Sequence, residues 1–261
     1  MNNTLLVTVD DGLAWLTLNR PHRLNAFDAE LAAAWRGATV DLASRDDVGA
    51  ILLSGNGPAF CAGGDVASMA MSLESGRQVA ELAHVINEGI LALTESSIPV
   101  MGAIHGATAG GGLGIMLCTD YVVAASNSKI GSRYANMGLT PDLSVTAHLS
   151  RAVGERRALQ LVLSDRMLSA HEAMEWGLVA EVVDDDAVVQ RAEEVARSWL
   201  TGATTAYGEA KRLVRSSGSR TFAEQLAEEA TTIGRSFDTD DAKQRIRAFL
   251  EASQKRQSQR S

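Results

Sequence analysis

The sequence predicts an α/β core followed by a region that is almost wholly helical. Three observations carry this reading. Up to about Ala125, short apolar runs alternate with helix-patterned stretches in the order strand, strand, helix, strand, helix, strand, helix, strand, the alternation of an α/β core. From Ser144 onward the pattern is helical. The 261 residues are 46% hydrophobic and 21% charged, enough apolar material for one large domain or one domain with a smaller appendage.

Leu5–Val9 and Ala14–Leu18 read as strands joined by a hairpin turn at Asp10-Asp11-Gly12. Arg20–Asn25 is a loop. Asp28 then caps a helix running to about Ser44, in which Leu31, Ala34, Trp35, Ala38 and Leu42 recur near helical spacing. Ala50–Ser54 is a buried strand stopped by Gly55-Asn56-Gly57-Pro58. A helix follows from about Gln78 to Leu93, then a strand at Val100–Ile104, the glycine run Gly110–Gly112, an apolar segment Leu113–Cys118 and a strand at Tyr121–Ala125. Near the end, Thr221–Arg235 gathers Phe222, Leu226, Ala230 and Ile233 on one helix face. Asp238–Leu250 opens acidic and closes basic, which suits the helix dipole. The polar stretch Gln254–Ser261 reads as a frayed end.

Charge and cysteines exclude several functions. A net charge of −8 leaves no general attraction for nucleic acid. Cys61 and Cys118 are far apart and neither belongs to a CxxC pair, so neither a disulfide framework nor a metal site is expected, in keeping with a reducing cytosol. Met1–Asp10 lacks the charged and apolar regions of a signal peptide. No run of about twenty apolar residues is present, so no membrane span is expected. These features together point to a cytoplasmic protein.

Two loops have the composition of backbone anion sites. In Ala59-Phe60-Cys61-Ala62-Gly63-Gly64-Asp65-Val66, small residues expose N–H groups, and Asp65 is placed to cap the next helix. In Ala107–Gly114, three glycines open a helix, so N–H groups and helix dipole converge. The spacing fits neither a dinucleotide fingerprint nor a phosphate loop. Close packing explains the glycines nearly as well. Two nests together make an oxyanion hole, in which each donor contributes roughly 3–4 kcal/mol of transition-state stabilisation. Cys61 has no histidine nearby in sequence and reads as a buried small hydrophobe. There is no Gly-x-Ser-x-Gly elbow, and Ser144 with His148 reads as a pair of surface polar positions on a helix. Only Asp120 and Asp142 are acidic between Ser96 and Gly154. Asp142 follows Pro141 in an apolar loop, where a carboxyl pKa rises toward that of a working base; a helix cap near Ser144 is the alternative.

The residues Leu18-Asn19-Arg20-Pro21, Leu24-Asn25-Ala26, Ala59 to Asp65, Ile98-Pro99-Val100, His105-Gly106, Gly110 to Gly112, Ala152-Val153-Gly154 and Glu172 to Val179 resemble the enoyl-CoA hydratase/isomerase (crotonase) family over nearly the whole chain. The resemblance implies a spiral of strand–strand–helix turns over residues 1–200 and a helical oligomerisation region over 201–261. It implies an acyl-CoA substrate, no cofactor beyond the CoA carried by that substrate, and a homotrimer or dimer of trimers. It implies that the Ala62 and Gly111 N–H groups hold the thioester oxygen. It places Arg23, Leu24, Ala26, Ala59, Gly64, Asp65, Val66, Tyr134, Leu139 and Pro141 against the substrate, with the Arg20–Arg23 loop, Arg23 above all, meeting the nucleotide end. Met69, Met71 and Met137 join Leu139 as candidates for an acyl pocket, with core packing the favoured reading of any one of them.

The departures from the family pattern point to the chemistry. The two glutamates of hydratases correspond here to Gly114 and Tyr134. Glycine moves no proton, and a tyrosine with a pKa near 10 is a poor base. Asp142 instead matches the single aspartate of double-bond isomerases such as those resembling epoxyphenylacetyl-CoA isomerase. A shift of a carbon–carbon double bond with Asp142 as sole acid and base is therefore the expected reaction. Hydration, hydrolysis of the 4-chlorobenzoyl-CoA dehalogenase type and non-catalytic acyl-CoA binding are the alternatives. The dehalogenase histidine falls at Asn87, with His84 one turn away.

Overall fold

A computed structural model describes residues 4–258. In chain order the elements are β1 (Leu5–Asp10), β2 (Leu13–Leu18), α1 (Ala29–Ala43), β3 (Ala50–Gly55), α2 (Val66–Ser72), α3 (Gly76–Glu95), β4 (Val100–Ile104), β5 (Ala107–Ala109), α4 (Gly111–Leu117), β6 (Tyr121–Ala125), β7 (Lys129–Gly131), α5 (Val145–Val153), α6 (Glu155–Val162), β8 (Met167–Ser169), α7 (Ala170–Trp176), β9 (Glu181–Val183), α8 (Val188–Thr201), α9 (Thr204–Ser216), α10 (Phe222–Asp238) and α11 (Asp240–Ser258). Part of the N-terminal segment read for a signal, residues 1–3, and the last three residues of the tail lie outside the described residues. The tail is helical as far as Ser258 rather than frayed from Gln254.

The main sheet has the order β1-β2-β3-β4-β6-β9, antiparallel at β1–β2 and parallel thereafter. Parallel strands are covered on both faces, and alternate side chains here enter two separate cores. Ile51 and Leu53 meet Trp35 and Leu31 of α1 on one side; Ala50 and Leu52 meet Ala192 and Ala196 of α8 on the other. A second sheet runs β5-β7-β8. β4 leads directly to β5 and β6 to β7, so these two turns of the spiral each give one strand to each sheet.

The expectation of an almost wholly helical chain after Ser144 is corrected by β8 and β9, which close the two sheets. Each has three residues, too few for a period-two pattern to show against flanking helices. The capping expectations hold: Asp28 accepts from the Leu31 N–H at 2.9 Å and Asp65 from the Ser68 N–H at 3.0 Å. Helix α9 is fastened to the core by Lys211, whose Nζ donates to the Leu93 and Ile98 carbonyls at 2.7 Å each and pairs with Asp120 at 3.0 Å. Beyond it, α10 and α11 leave Phe222 80%, Ile233 72% and Phe249 67% exposed.

Candidate active site

The loop after β2 is held from inside. Arg20 is buried, pairs with Asp28 at 2.7 Å and Asp65 at 3.1 Å, and donates to the Ala26 carbonyl. Asn25, also buried, accepts from the Arg20 N–H at 2.8 Å and donates to the Asn56 and Ala59 carbonyls at 2.9 and 2.8 Å. Of the two arginines in the Arg20–Arg23 loop, Arg20 is spent on holding the loop, while Arg23, the residue expected to meet the nucleotide end, is exposed and makes no ion pair among the described residues. Ala26 and Ala59 are buried within this loop framework, whereas Leu24, Gly64 and Val66 are exposed at its edge.

The framework sets the two glycine loops against each other. A Cβ built on Gly63, which has φ of 107°, would stand 3.1 Å from the Gly111 nitrogen. The Gly111 N–H opens α4 and has no acceptor among the described residues, as expected of a helix first turn. The Ala62 N–H is engaged, donating to the Leu24 carbonyl at 3.0 Å. Leu24 lies in the left-handed region at φ 51°. One of the two predicted donors is therefore free and the other is tied to the exposed loop.

Asp142 does not cap α5. That helix begins after Ser144, itself left-handed at φ 70° and giving no side-chain cap. The Asp142 carboxylate instead accepts the Tyr134 hydroxyl proton at 2.5 Å. The turn through Gly138, at φ 66°, folds residues 134 and 142 onto each other. Asp142 is exposed on this loop, with chain packed close enough to remove part of its solvation. Loss of solvation there raises its pKa above the ordinary carboxylate value, and the Tyr134 hydroxyl opposes the rise. Desolvation, then the Asp142 charge, pushes the Tyr134 phenol well up, so it stays protonated. Leu139 and Met137 stand exposed on the same loop, and Met71 on α2.

Gly114 is closed to any side chain: a Cβ there would fall 2.0 Å from the Leu143 carbonyl oxygen. Asp120, the other acid of this stretch, is taken up by Lys211 and by Arg215 at 2.9 Å. Cys61 is buried, its thiol pushed up to about 12 by desolvation, which removes it as a nucleophile. His84 is exposed and Asn87 half-buried on α3. Ser144 and His148 are not independent surface positions. Their side chains hydrogen-bond at 3.0 Å, partly buried, and burial brings the imidazole down to about 4. Sequence spacing alone did not show that α5 turns this edge inward.

Residues 8–260 match the enoyl-CoA hydratase/isomerase family, and the chain belongs to it. It is 32% identical to 1,2-epoxyphenylacetyl-CoA isomerase of Escherichia coli (strain K12), over 96% of both chains. It is 30% identical to the short-chain-enoyl-CoA hydratase of Clostridium acetobutylicum, over 95% of each. The crystal structure of an enoyl-CoA hydratase from Mycobacterium smegmatis superposes with a TM-score of 0.90 at 28% identity, covering 95% of this chain and 96% of that one.

Proposed function

We propose that this protein shifts a carbon–carbon double bond in an acyl-CoA thioester, with Asp142 as the single acid and base. The observation that carries the reading is the carboxylate inventory. The hydratase-type position at Gly114 is blocked by the Leu143 carbonyl, the second such position is a protonated tyrosine, and Asp142 is left as the acid of the site. The thioester oxygen of a 3-enoyl-CoA is received by the Gly111 N–H, and by the Ala62 N–H once that donor exchanges the Leu24 carbonyl for it. Asp142 removes a proton from the carbon next to the thioester, and the negative charge spreads onto the oxygen held by those donors. Asp142 then returns the proton two carbons along, giving the conjugated 2-enoyl-CoA. The proton removed equals the proton returned, and no water, metal or cofactor is consumed.

The exposed Arg23 is assigned to the phosphates of CoA, and Leu139 with Met137 to the acyl side. The same reading places the protein in the cytoplasm as a trimer or a dimer of trimers. A panel of 2-enoyl- and 3-enoyl-CoA esters tests the reaction. Isomerisation conserves mass and moves the double bond, whereas hydration adds one water to the product. A dominant hydrated product overturns the isomerase reading, and tight binding of every ester with no product of either kind makes the protein a binder.

A further inference from the structure

We infer that Tyr134 is the positioning residue of the reaction: its hydroxyl fastens one oxygen of Asp142 and leaves the other as the only oxygen that exchanges protons with the substrate. This rests on the reading of Asp142 as the base. The geometry is specific. The hydroxyl and Oδ1 are 2.5 Å apart, and the phenol ring is packed against the core, so the donor has a fixed origin while the carboxylate stands on an exposed loop. A carboxylate bonded through one oxygen loses the rotation that would otherwise present either oxygen to the substrate. The position that corresponds to the second glutamate of hydratases thus holds the one remaining carboxylate rather than supplying another.

The same bond bears on ionisation. A hydroxyl that donates to a carboxylate favours its charged form and counters the partial desolvation of Asp142. Other titratable groups around the pair are few. Helix α4, Gly111–Leu117, brings no charged side chain. Cys61 faces Tyr134. Arg133 is turned away to Asp165, and His148 on α5 is bonded to Ser144. Removal of the hydroxyl therefore raises the Asp142 pKa, since the desolvation stays and, of the two opposing hydrogen bonds, only that from the Asp142 N–H remains.

The test is a carbon-13 titration of the Asp142 carboxyl in the full chain and in Tyr134→Phe, its signal assigned by its loss in Asp142→Asn, run beside the pH profile of isomerisation. A hydrogen bond to a charged group corresponds to about one to two pH units. The midpoint in Tyr134→Phe is expected to move up by that amount, and the acid limb of kcat/KM to move with it. On the alkaline plateau kcat falls about tenfold while KM stays within about twofold, the split expected when only the alignment of the base is lost. If Tyr134→Phe does not fold, fluorotyrosine incorporated in place of tyrosine gives a stronger donor at nearly constant shape, and the midpoint moves down. An unchanged midpoint in either protein overturns the inference. A shifted midpoint in a protein that isomerises no enoyl-CoA overturns the proposed reaction instead and leaves the Tyr134–Asp142 bond established.

Discussion

At the scale of single residues, the proposed base is a carboxylate whose partial desolvation opposes its charge. In the proposed reaction Asp142 acts only when ionised, and its pKa stands above the ordinary value of about 4 because desolvation outweighs its hydrogen bonds. Activity is then present above this raised pKa and lost as pH falls through it. We expect the acid limb of kcat/KM to have its midpoint above about 4; a midpoint at or below that value contradicts the desolvated site. The residue itself was legible in the sequence, as one of two acids in the glycine-bearing stretch. Asp120 could be set aside only from the structure, because its partners Lys211 and Arg215 come from a helix more than ninety residues on. The Tyr134 bond was not legible either. It depends on the left-handed turn at Gly138, which brings two side chains eight residues apart into contact.

At the scale of elements, α4 is built to approach its neighbours through bare backbone. Gly112 would place a Cβ 2.1 Å from the Cys61 carbonyl, and Gly114 one 2.0 Å from that of Leu143. The packing reading of these glycines weighed from sequence is thus supported, and their backbone donors belong to the proposed reaction. Gly114→Ala is expected to cost about 1–3 kcal/mol by overpacking, read as a lowered denaturation midpoint. Gly114→Glu should cost at least as much and confer no hydration activity; a stable, hydrating Gly114→Glu would show that the backbone yields easily. Helix α9 makes a second prediction. Lys211→Met removes the buried ammonium from Asp120, which keeps Arg215 and the Val100 N–H, and takes the charged donor from the Leu93 and Ile98 carbonyls; breaking a buried pair costs about 3–5 kcal/mol. A melting temperature equal to that of the wild type would count against the anchoring role. Strands of five or six residues, β1 to β4 and β6, were readable from their apolar runs. The three-residue strands β5, β7, β8 and β9 were not, because their pairing is dictated by the spiral rather than by local pattern.

At the scale of the whole molecule, the chain leaves apolar side chains on α10 and α11 that its own core does not cover. Phe222, Ile233, Phe237, Phe249 and Leu250 are all exposed on these two helices. Exposed large apolar side chains gathered on two neighbouring helices suit an interface. The amphipathic pattern was legible in the sequence, and within the chain the helices do not fold back to hide these side chains. We expect light scattering at micromolar concentration to give a trimer or a multiple of it. Truncation at about Gly218 should dissociate the assembly. A full-length particle of 27.7 kDa would contradict the assembly, and a trimer surviving truncation would contradict the role of these helices.

The central claim is that one carboxylate carries the proton between two carbons. The most direct test is the rate of double-bond migration in Asp142→Asn against wild type, with CoA-ester affinity measured on both proteins. Loss of a general base is expected to lower turnover by about 10²–10⁴-fold while affinity changes by no more than a few-fold, since the amide keeps the shape of the carboxylate. An Asp142→Asn protein that isomerises at the wild-type rate would contradict the account.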